Sequence, residues 1–125
     1  MSTILIVEDN DKNMKLMRDV LQHAGHATLE ARTGEAGVQL AIDHPPDLIL
    51  MDVQLPGMSG IAALQEIRAH PVLQAIPVIA VSASVMPEDH RSIVNSGFDA
   101  FLTKPIALKT LRATVARFLK QKGPR

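Results

Sequence analysis

The chain has 125 residues, enough for one domain with a sizeable core and too few for a second, so we expect a single domain over 1–125. Its 13 Lys and Arg balance 13 Asp and Glu, and it has no Trp or Tyr, which argues against a nucleic-acid partner. It has no cysteine, which excludes disulfides and thiolate metal sites, and no apolar stretch of the ~20 residues that span a bilayer, so we expect a cytoplasmic protein without a membrane partner.

Short apolar runs predict strands, and the segments between them have the three-and-four spacing of helices. In the first half of the chain, Asn10 can cap a helix that Gly25 ends, and Pro45 and Pro46 stop a second helix. The predicted elements there are strand Ile4–Val7, a helix with Met14, Met17, Leu21 and Ala24 inward, strand Ala27–Glu30, helix Gly34–Asp43 and strand Leu48–Met51.

The second half repeats the pattern after a loop rich in Pro and Gly. Pro87 suits the first turn of a short fourth helix that Gly97 ends, and its only apolar residues, Ile93 and Val94, predict weak packing and easy movement. The other predicted elements are a helix capped by Ser59 with Ile61, Leu64 and Ile67 inward, strand Val78–Val81, a strand reaching Lys104, and a last helix presenting Leu108, Leu111, Val115, Phe118 and Leu119 before a flexible tail at about 121–125.

The order is strand then helix, five times over. Nearly continuous apolar strands indicate a sheet buried on both faces, and right-handed crossovers then favour the α/β class with a three-layer, doubly wound, five-stranded parallel sheet. A strand order of 2-1-3-4-5 would bring the first and third strands together.

Polar residues end the apolar strands, and the carboxyl ends of parallel strands meet at one edge of a sheet. We therefore expect Glu8, Asp9, Asp52, Ser82 and Lys104 to converge. Clustered carboxylates repel one another and need a compensating cation, and Mg²⁺ is the hard cation that accepts carboxylate and phosphate oxygens together. A carboxylate held there could attack phosphorus and form an aspartyl phosphate.

Each of these residues also has a simpler explanation. Asp9 could equally cap the first helix, and Glu8 could be a solvated strand end. Asp52 is harder to explain in this way, because a carboxylate that ends the run Leu48–Met51 lies at the buried centre of the sheet and needs a partner. The five histidines lie near helix ends and loops without the spacing of metal ligands, so no metal role is assigned to them.

Four motifs in this order resemble those of the bacterial response regulator receiver domain. They are Leu5-Ile6-Val7-Glu8-Asp9-Asn10, the run from Leu48 to Gly60, Val81-Ser82-Ala83 and Lys104-Pro105. The segment Asn13-Met14-Lys15-Leu16 is further similar to single-domain regulators of the DivK type. The resemblance covers the whole chain and implies the flavodoxin-like receiver fold, with a cis peptide bond between Lys104 and Pro105.

The resemblance also implies roles for the residues of the cluster. Asp52 would be the phosphoacceptor, and Lys104 would contact the phosphoryl group. Mg²⁺ would be the cofactor, with Asp9, Asp52 and the backbone carbonyl of Gln54 as ligands and with Glu8 acting mainly through water.

The implied function is that of a response regulator in a two-component phosphorelay, which signals by phosphorylation-dependent protein contacts without an output domain. The phosphoryl group would come from a histidine kinase or a histidine phosphotransfer protein. The chain would not be an enzyme beyond self-phosphorylation from small donors and slow self-dephosphorylation.

The resemblance also implies how the signal is passed on: Ser82 would be the hydroxyl switch and Phe101 the rotating aromatic switch. A downstream target would bind the face of the fourth helix, fifth strand and fifth helix, including Arg91, Asp99 and Arg112.

Three alternatives remain open at the level of sequence. A flavodoxin-like flavin carrier shares the predicted topology, but it needs a phosphate loop of Ser, Thr and Gly where this chain has Glu8 and Asp9. A haloacid-dehalogenase-like phosphatase needs a second Asp at the position of Gln54. A degenerate receiver that binds partners without phosphate is the more serious rival, and Mg²⁺-dependent binding of beryllofluoride would distinguish it.

Overall fold

A computed structural model describes residues 2–83, 91–93 and 95–122 and contains a five-stranded parallel sheet. The strands lie in the order β2-β1-β3-β4-β5, as predicted, so β1 and β3 are neighbours at the centre. Their bounds are β1 Thr3–Val7, β2 Ala27–Ala31, β3 Leu48–Asp52, β4 Val78–Ser82 and β5 Ala100–Thr103.

Helices connect the strands in the alternation that the sequence predicts. They are α1 Asp11–His23, α2 Gly34–Asp43, α3 Gly60–Arg68, α4 at residues 91–93 and 95, and α5 Leu108–Lys122, with a short 3-10 turn at Pro71–Leu73. The predicted start of α4 at Pro87, its apolar Val94, and 123–125 of the predicted tail lie outside the described residues. No helix in the described ranges is long and apolar enough to cross a lipid bilayer.

The core forms two layers, one on each face of the sheet. Side chains alternate along a strand, so Ile4 and Ile6 of β1 pack with α1 and α5 while Leu5 and Val7 pack with α2 and α3. Ile93 of α4 belongs to the second layer. The sheet is therefore covered on both faces, which is the doubly wound α/β architecture expected from the uninterrupted apolar strands.

Two residues of the predicted inward faces are exposed instead. Ala24 is the C-cap of α1 rather than a core residue, and Leu108, in the first turn of α5, is 45% exposed. Both lie at a helix end, where the chain leaves the sheet, so helical spacing alone misassigns them. The cap of α1 is as predicted, because the Asn10 side chain accepts a hydrogen bond of 2.9 Å from the Asn13 N–H.

A single arginine ties together the edge of the sheet opposite the strand carboxyl ends. The guanidinium of Arg68, at the end of α3, donates to the carbonyl oxygens of Ile76 at 2.7 Å and Gln74 at 3.1 Å. It also forms an ion pair of 3.0 Å with Asp99, whose carboxylate accepts from the Val78 N–H at 2.8 Å. Arg68 therefore connects α3 to the beginnings of both β4 and β5.

Removing this guanidinium should lower the stability of the protein. We expect Arg68→Ala to reduce the free energy of unfolding by about 2 kcal/mol, because hydrogen bonds from a charged donor are stronger than neutral ones. Gln65→Ala, at an exposed position of the same helix, is the matched control and should change stability little. Urea denaturation measures both; equal losses in the two variants would contradict this role of Arg68.

Candidate functional site

The carboxyl ends of β1 and β3 bring three carboxylates together. Glu8 follows β1 directly, Asp52 is the last residue of β3, and the register pairs Val7 with Met51 just before them. One carboxylate oxygen from each of Glu8, Asp9 and Asp52 lies within 4.8 Å of the others. Glu8 is fully buried and Asp52 is 2% exposed, whereas Asp9 is exposed. The convergence predicted for these three residues is therefore present.

Lys104 enters the same cleft from the end of β5. Its Nζ atom lies 3.1 Å from Asp52 Oδ2 and 3.2 Å from Glu8 Oε1. The Lys104–Pro105 peptide bond is cis, as expected from the resemblance, and the Lys104 N–H donates to the Ser82 carbonyl oxygen at 2.9 Å. The ammonium group thus bridges the two buried carboxylates.

Backbone N–H groups hold the other carboxylate oxygens. Asp52 Oδ1 accepts a hydrogen bond of 2.9 Å from the Gln54 N–H, and Glu8 Oε2 accepts one of 3.1 Å from the Asn10 N–H. Glu8 Oε1 is buried without a hydrogen bond, although the Lys104 ammonium lies close to it. The Lys104 ammonium donates its hydrogen bond to Glu8 Oε2 instead, at 3.3 Å, so Oε1 feels the charge of the ammonium without accepting a hydrogen bond from it.

Burial changes the protonation of Glu8. Loss of solvent, together with the negative charge of Asp52, raises the pKa of Glu8 to about 7, against the opposing effects of the Asn10 N–H and Lys104. A carboxyl group whose pKa is higher in the folded than in the unfolded protein makes its full contribution to stability below the pKa of the unfolded state. For Glu8, that contribution is lost as the pH rises through about 7. Burial opposes the charge of Lys104, but its contacts with Asp52 and Glu8 outweigh this effect and raise its pKa.

The donor set of the cluster suits a hard divalent cation. Three carboxylates lie within 4.8 Å of one another, and the buried Glu8 Oε1 lacks a hydrogen bond. Oxygen ligands of this kind are those of Mg²⁺, and a cation would offset the remaining negative charge. No histidine in the described part of the chain joins the cluster.

The loop after β3 brings the start of α3 directly against the end of β3. The Gly60 N–H donates to the Val53 carbonyl oxygen at 3.0 Å, and a Cβ atom at Gly60 would overlap the Asp52 carbonyl oxygen. Ser59 caps α3 as predicted, through a hydrogen bond of 3.2 Å from the Ala62 N–H. Helix α3 can therefore begin directly against the end of β3 because residue 60 has no side chain.

Ser82 and Phe101 lie on the same face of the sheet. Side chains alternate along β4, so Ser82 is on the same face of the sheet as Val78 and Ala80. These two residues belong to the core layer that Phe101 packs against. The register pairs Ala80 with Phe101 and Ser82 with Thr103, so the hydroxyl residue and the aromatic residue are diagonal neighbours. Ser82 is 1% exposed and Phe101 is half-buried.

Three features were not predicted from the sequence. The Gln54 N–H holds Asp52, and the Gln54 side chain reaches the Ala83 N–H at 3.4 Å, whereas the only site role predicted for Gln54 was that of its backbone carbonyl. Asp99 is engaged by Arg68 rather than free for a partner. A groove of about 630 Å³ lies between α1 and α5, away from the acidic cleft; its lining mixes apolar and charged side chains, Lys12, Lys15, Leu16, Asp19, Val20, His23, Leu108 and Arg112.

Of these features, only Gln54 had a signal in the sequence. It stands two residues after Asp52 in a loop that follows a buried strand, where polar side chains tend to be functional. The groove depends on the packing of α1 against α5, two helices at opposite ends of the chain, so no local pattern reports it.

Comparison with known proteins agrees with this geometry. Residues 4–116 match the response regulator receiver domain family. The chain is 41% identical over 117 residues to the polar-differentiation response regulator DivK of Brucella ovis. The matched region covers 94% of this chain and 95% of that protein.

Solved structures show the same fold. The receiver domain of a signal transduction histidine kinase from Syntrophus aciditrophicus superposes with a TM-score of 0.92 at 32% identity, covering 100% of this chain and 95% of that one. The receiver domain of a sensor histidine kinase from Pseudomonas aeruginosa, solved with a magnesium ion coordinated in the active site cleft, gives a TM-score of 0.88 at 30% identity over 94% and 97% of the two chains. This chain belongs to the response regulator receiver domain family.

Proposed function

We propose that this receiver accepts a phosphoryl group on Asp52 and changes its protein contacts in response. The single observation that supports this most is the environment of the Asp52 carboxylate. It is almost fully buried, yet its two oxygens are held by the Gln54 N–H and the Lys104 ammonium at the open edge of the sheet. A buried carboxylate oriented by one backbone donor and one cation is positioned as a nucleophile.

The proposed transfer follows from these contacts. An Asp52 oxygen attacks the phosphorus atom of the donor, the bond from phosphorus to the donor nitrogen breaks, and the electron pair stays on that nitrogen. Lys104, already 3.1 Å from Asp52 Oδ2, can follow the new phosphoryl oxygens and neutralise part of their charge. Slow hydrolysis of the acyl phosphate would reset the switch, and small phosphoryl donors could also load it.

The acidic cluster provides the place for Mg²⁺. We propose Asp9, Asp52 and the backbone carbonyl of Gln54 as direct ligands, with Glu8 acting through water. Bound there, the ion would offset the carboxylate charge and neutralise phosphoryl oxygens. The three carboxylates within 4.8 Å support this set, as does the magnesium ion in the cleft of the related Pseudomonas aeruginosa receiver.

Signalling is proposed to pass from Ser82 to Phe101. The Ser82 hydroxyl would move toward a phosphoryl oxygen, and Phe101, its diagonal neighbour on β5, would move inward. Both residues face the layer that contains Ile93 of α4, so movement of Phe101 would reach that helix. The proposed partner surface is that of α4, β5 and α5. It omits two residues of the predicted surface, because Asp99 is paired with Arg68 and Arg112 lines the α1–α5 groove.

The proposed phosphoryl donor is a histidine kinase or a histidine phosphotransfer protein. Two of the similar structures are receiver domains of histidine kinases, and the curated relative is a response regulator. The rival function is that of a degenerate receiver that binds its partners without phosphate. The Asp52 carboxylate, held by the Gln54 N–H and the Lys104 ammonium at the open edge of the sheet, favours the phosphorylated function.

Asp52 should be the single site of phosphorylation. After treatment with acetyl phosphate and Mg²⁺, the intact mass of the wild-type protein should rise by one phosphoryl group, and that of Asp52→Asn should not. Asp43→Asn, at an exposed carboxylate in the last turn of α2, is the control and should label like wild type. Labelling of Asp52→Asn to the same extent would show that another residue is the acceptor.

Mg²⁺ should stabilise the fold through Asp9. At a fixed Mg²⁺ concentration equal to ten times the dissociation constant of the wild-type protein at pH 8, the ion should raise the free energy of unfolding there by about 1.4 kcal/mol. The gain should be larger at pH 8 than at pH 5.5, because the pKa of Glu8 is about 7 and Mg²⁺ binds the ionised cluster. Asp9→Asn should lose most of this gain, whereas Asp11→Asn, outside the cluster, should keep it. Urea midpoints measure the effect, and an equal gain in both variants would refute the assignment.

Removing the Ser82 hydroxyl should uncouple phosphorylation from the response of α4. A hydroxyl bonded to a charged phosphoryl group contributes ~1.5 to 3 kcal/mol, enough to shift a two-state equilibrium by about one to two powers of ten. Ser82→Ala should still bind beryllofluoride, but the amide shifts at Phe101 and Ile93 should disappear, while Thr110→Ala should retain them. Shifts confined to the acidic cleft in wild type would mean that the chain stores phosphate without switching.

A further inference from the structure

The groove between α1 and α5 contains apolar side chains that the core does not use. Its volume is about 630 Å³, and none of its lining residues belongs to the acidic cluster. Leu16 of α1 and Leu108 of α5 both line it. Every other leucine in the described residues is part of a core layer or packs against one, whereas these two do neither. The groove therefore brings together two apolar side chains that the fold itself leaves unpacked.

The charged side chains around the groove are mostly positive. Lys12 and Arg112 form no ion pair with any acid in the described part of the chain. The one acid in the lining, Asp19, already contacts Lys15 at 2.6 Å and Arg18 at 3.5 Å. Acidic and basic residues are equal in number over the whole chain, so this excess of positive charge is local. An anion is the ligand whose charge suits it.

Arg112 also lines a second cavity, which has a volume of about 430 Å³. Lys109 and His26 are the other polar residues of its lining, and the remaining residues described there are apolar. Lys109 and Arg112 are three positions apart on α5, so their side chains are neighbours on the helix surface. The His26 Nδ1 atom is buried without a hydrogen-bond partner. The positive charges of the two cavities therefore meet at Arg112.

We propose that the α1–α5 groove binds an amphiphilic anion, a free molecule with a carboxylate head and an apolar chain. The head lies at Arg112 and Lys109. The chain lies along Leu16 and Leu108 and covers the exposed leucine of α5. The site is separate from the acidic cluster, so this inference does not rest on phosphorylation of Asp52.

The size of the groove favours a small molecule over a protein partner. Small-molecule sites have volumes of roughly 300 to 1,000 Å³, and the groove lies within this range. A stable protein interface engages about 20 to 30 residues on each side, many more than the eight that line the groove. The mixed lining indicates a ligand that is itself part apolar and part charged.

Titration with decanoate, kept below the concentration at which it forms micelles, tests the proposal by NMR. Saturable amide shifts should appear at Leu16, Val20 and Leu108. Acetate has the head without the chain, and decyltrimethylammonium has the chain with the opposite charge, so each should bind more weakly by at least roughly 5-fold. Absence of saturable shifts in the groove would overturn the proposal. So would equal affinity for decyltrimethylammonium, because the groove would then be a non-specific apolar surface.

Two variants test the head and the chain separately. Arg112→Gln should weaken decanoate binding by roughly 2- to 5-fold, the range for one exposed ion pair. Leu108→Ala should weaken it by roughly 5- to 10-fold, because apolar contact area is lost. Lys120→Gln, at an exposed cation further along α5, and Val72→Ala, at an exposed apolar side chain after α3, are the matched controls and should bind like wild type. If both variants bind like their controls, the proposal is wrong.

A lipid membrane or a second copy of the chain could cover the same side chains, and sedimentation distinguishes these occupants. The protein should stay in solution when vesicles of anionic phospholipid are sedimented, and decanoate should leave its oligomeric state unchanged. Binding to the vesicles without binding of decanoate would assign the groove to a membrane surface. A dimer that Arg112→Gln disrupts, again without binding of decanoate, would assign it to a second copy. Either result would overturn the proposal.

Discussion

The functional edge of this protein depends on one ammonium group between two buried carboxylates. Lys104 Nζ lies 3.1 Å from Asp52 and 3.2 Å from Glu8, and both acids are almost fully excluded from solvent. Without a cation, keeping two carboxylates ionised at this depth is costly, because both have lost solvent and each repels the other. Lys104 removes only part of this cost, as the raised pKa of Glu8 shows. The cluster therefore keeps negative charge that Lys104 does not balance, and this is the charge that the proposed Mg²⁺ would offset.

The rest of the fold supplies the rigidity that this arrangement needs. Two apolar layers cover the sheet, so the ends of the strands cannot move apart to relieve repulsion between the acids. Gly60 allows α3 to start against β3, and Arg68 holds the opposite ends of β4 and β5. Like charges stay together because the surrounding packing is stronger than their repulsion, which is a stability cost retained for function.

The geometry also separates the parts of the site that stay fixed from those that respond. Asp52 is held by a backbone donor and by Lys104, whereas Gln54 holds Ala83 by a longer contact of 3.4 Å from an exposed side chain. Ser82 lies next to this contact and diagonal to Phe101 on the neighbouring strand β5. A new anion at Asp52 would thus meet two adjustable groups at once, one at the mouth of the cleft and one leading into the core layer.

The sequence by itself determined the strand order, the caps at Asn10 and Ser59, and the convergence of Glu8, Asp9 and Asp52, because these follow from local periodicity and from the rule that parallel strands end at one edge. Helical spacing misassigned Ala24 and Leu108 to the core. Both lie at a helix end, where the chain leaves the sheet, and burial there depends on the neighbouring elements rather than on the spacing. Only the tertiary structure decided that Lys104 bridges Glu8 and Asp52, that Arg68 engages Asp99, and that Gln54 reaches Ala83. Each of these contacts joins residues that are distant in sequence, and their distances are set by how the strands, helices and loops pack, which no local pattern encodes.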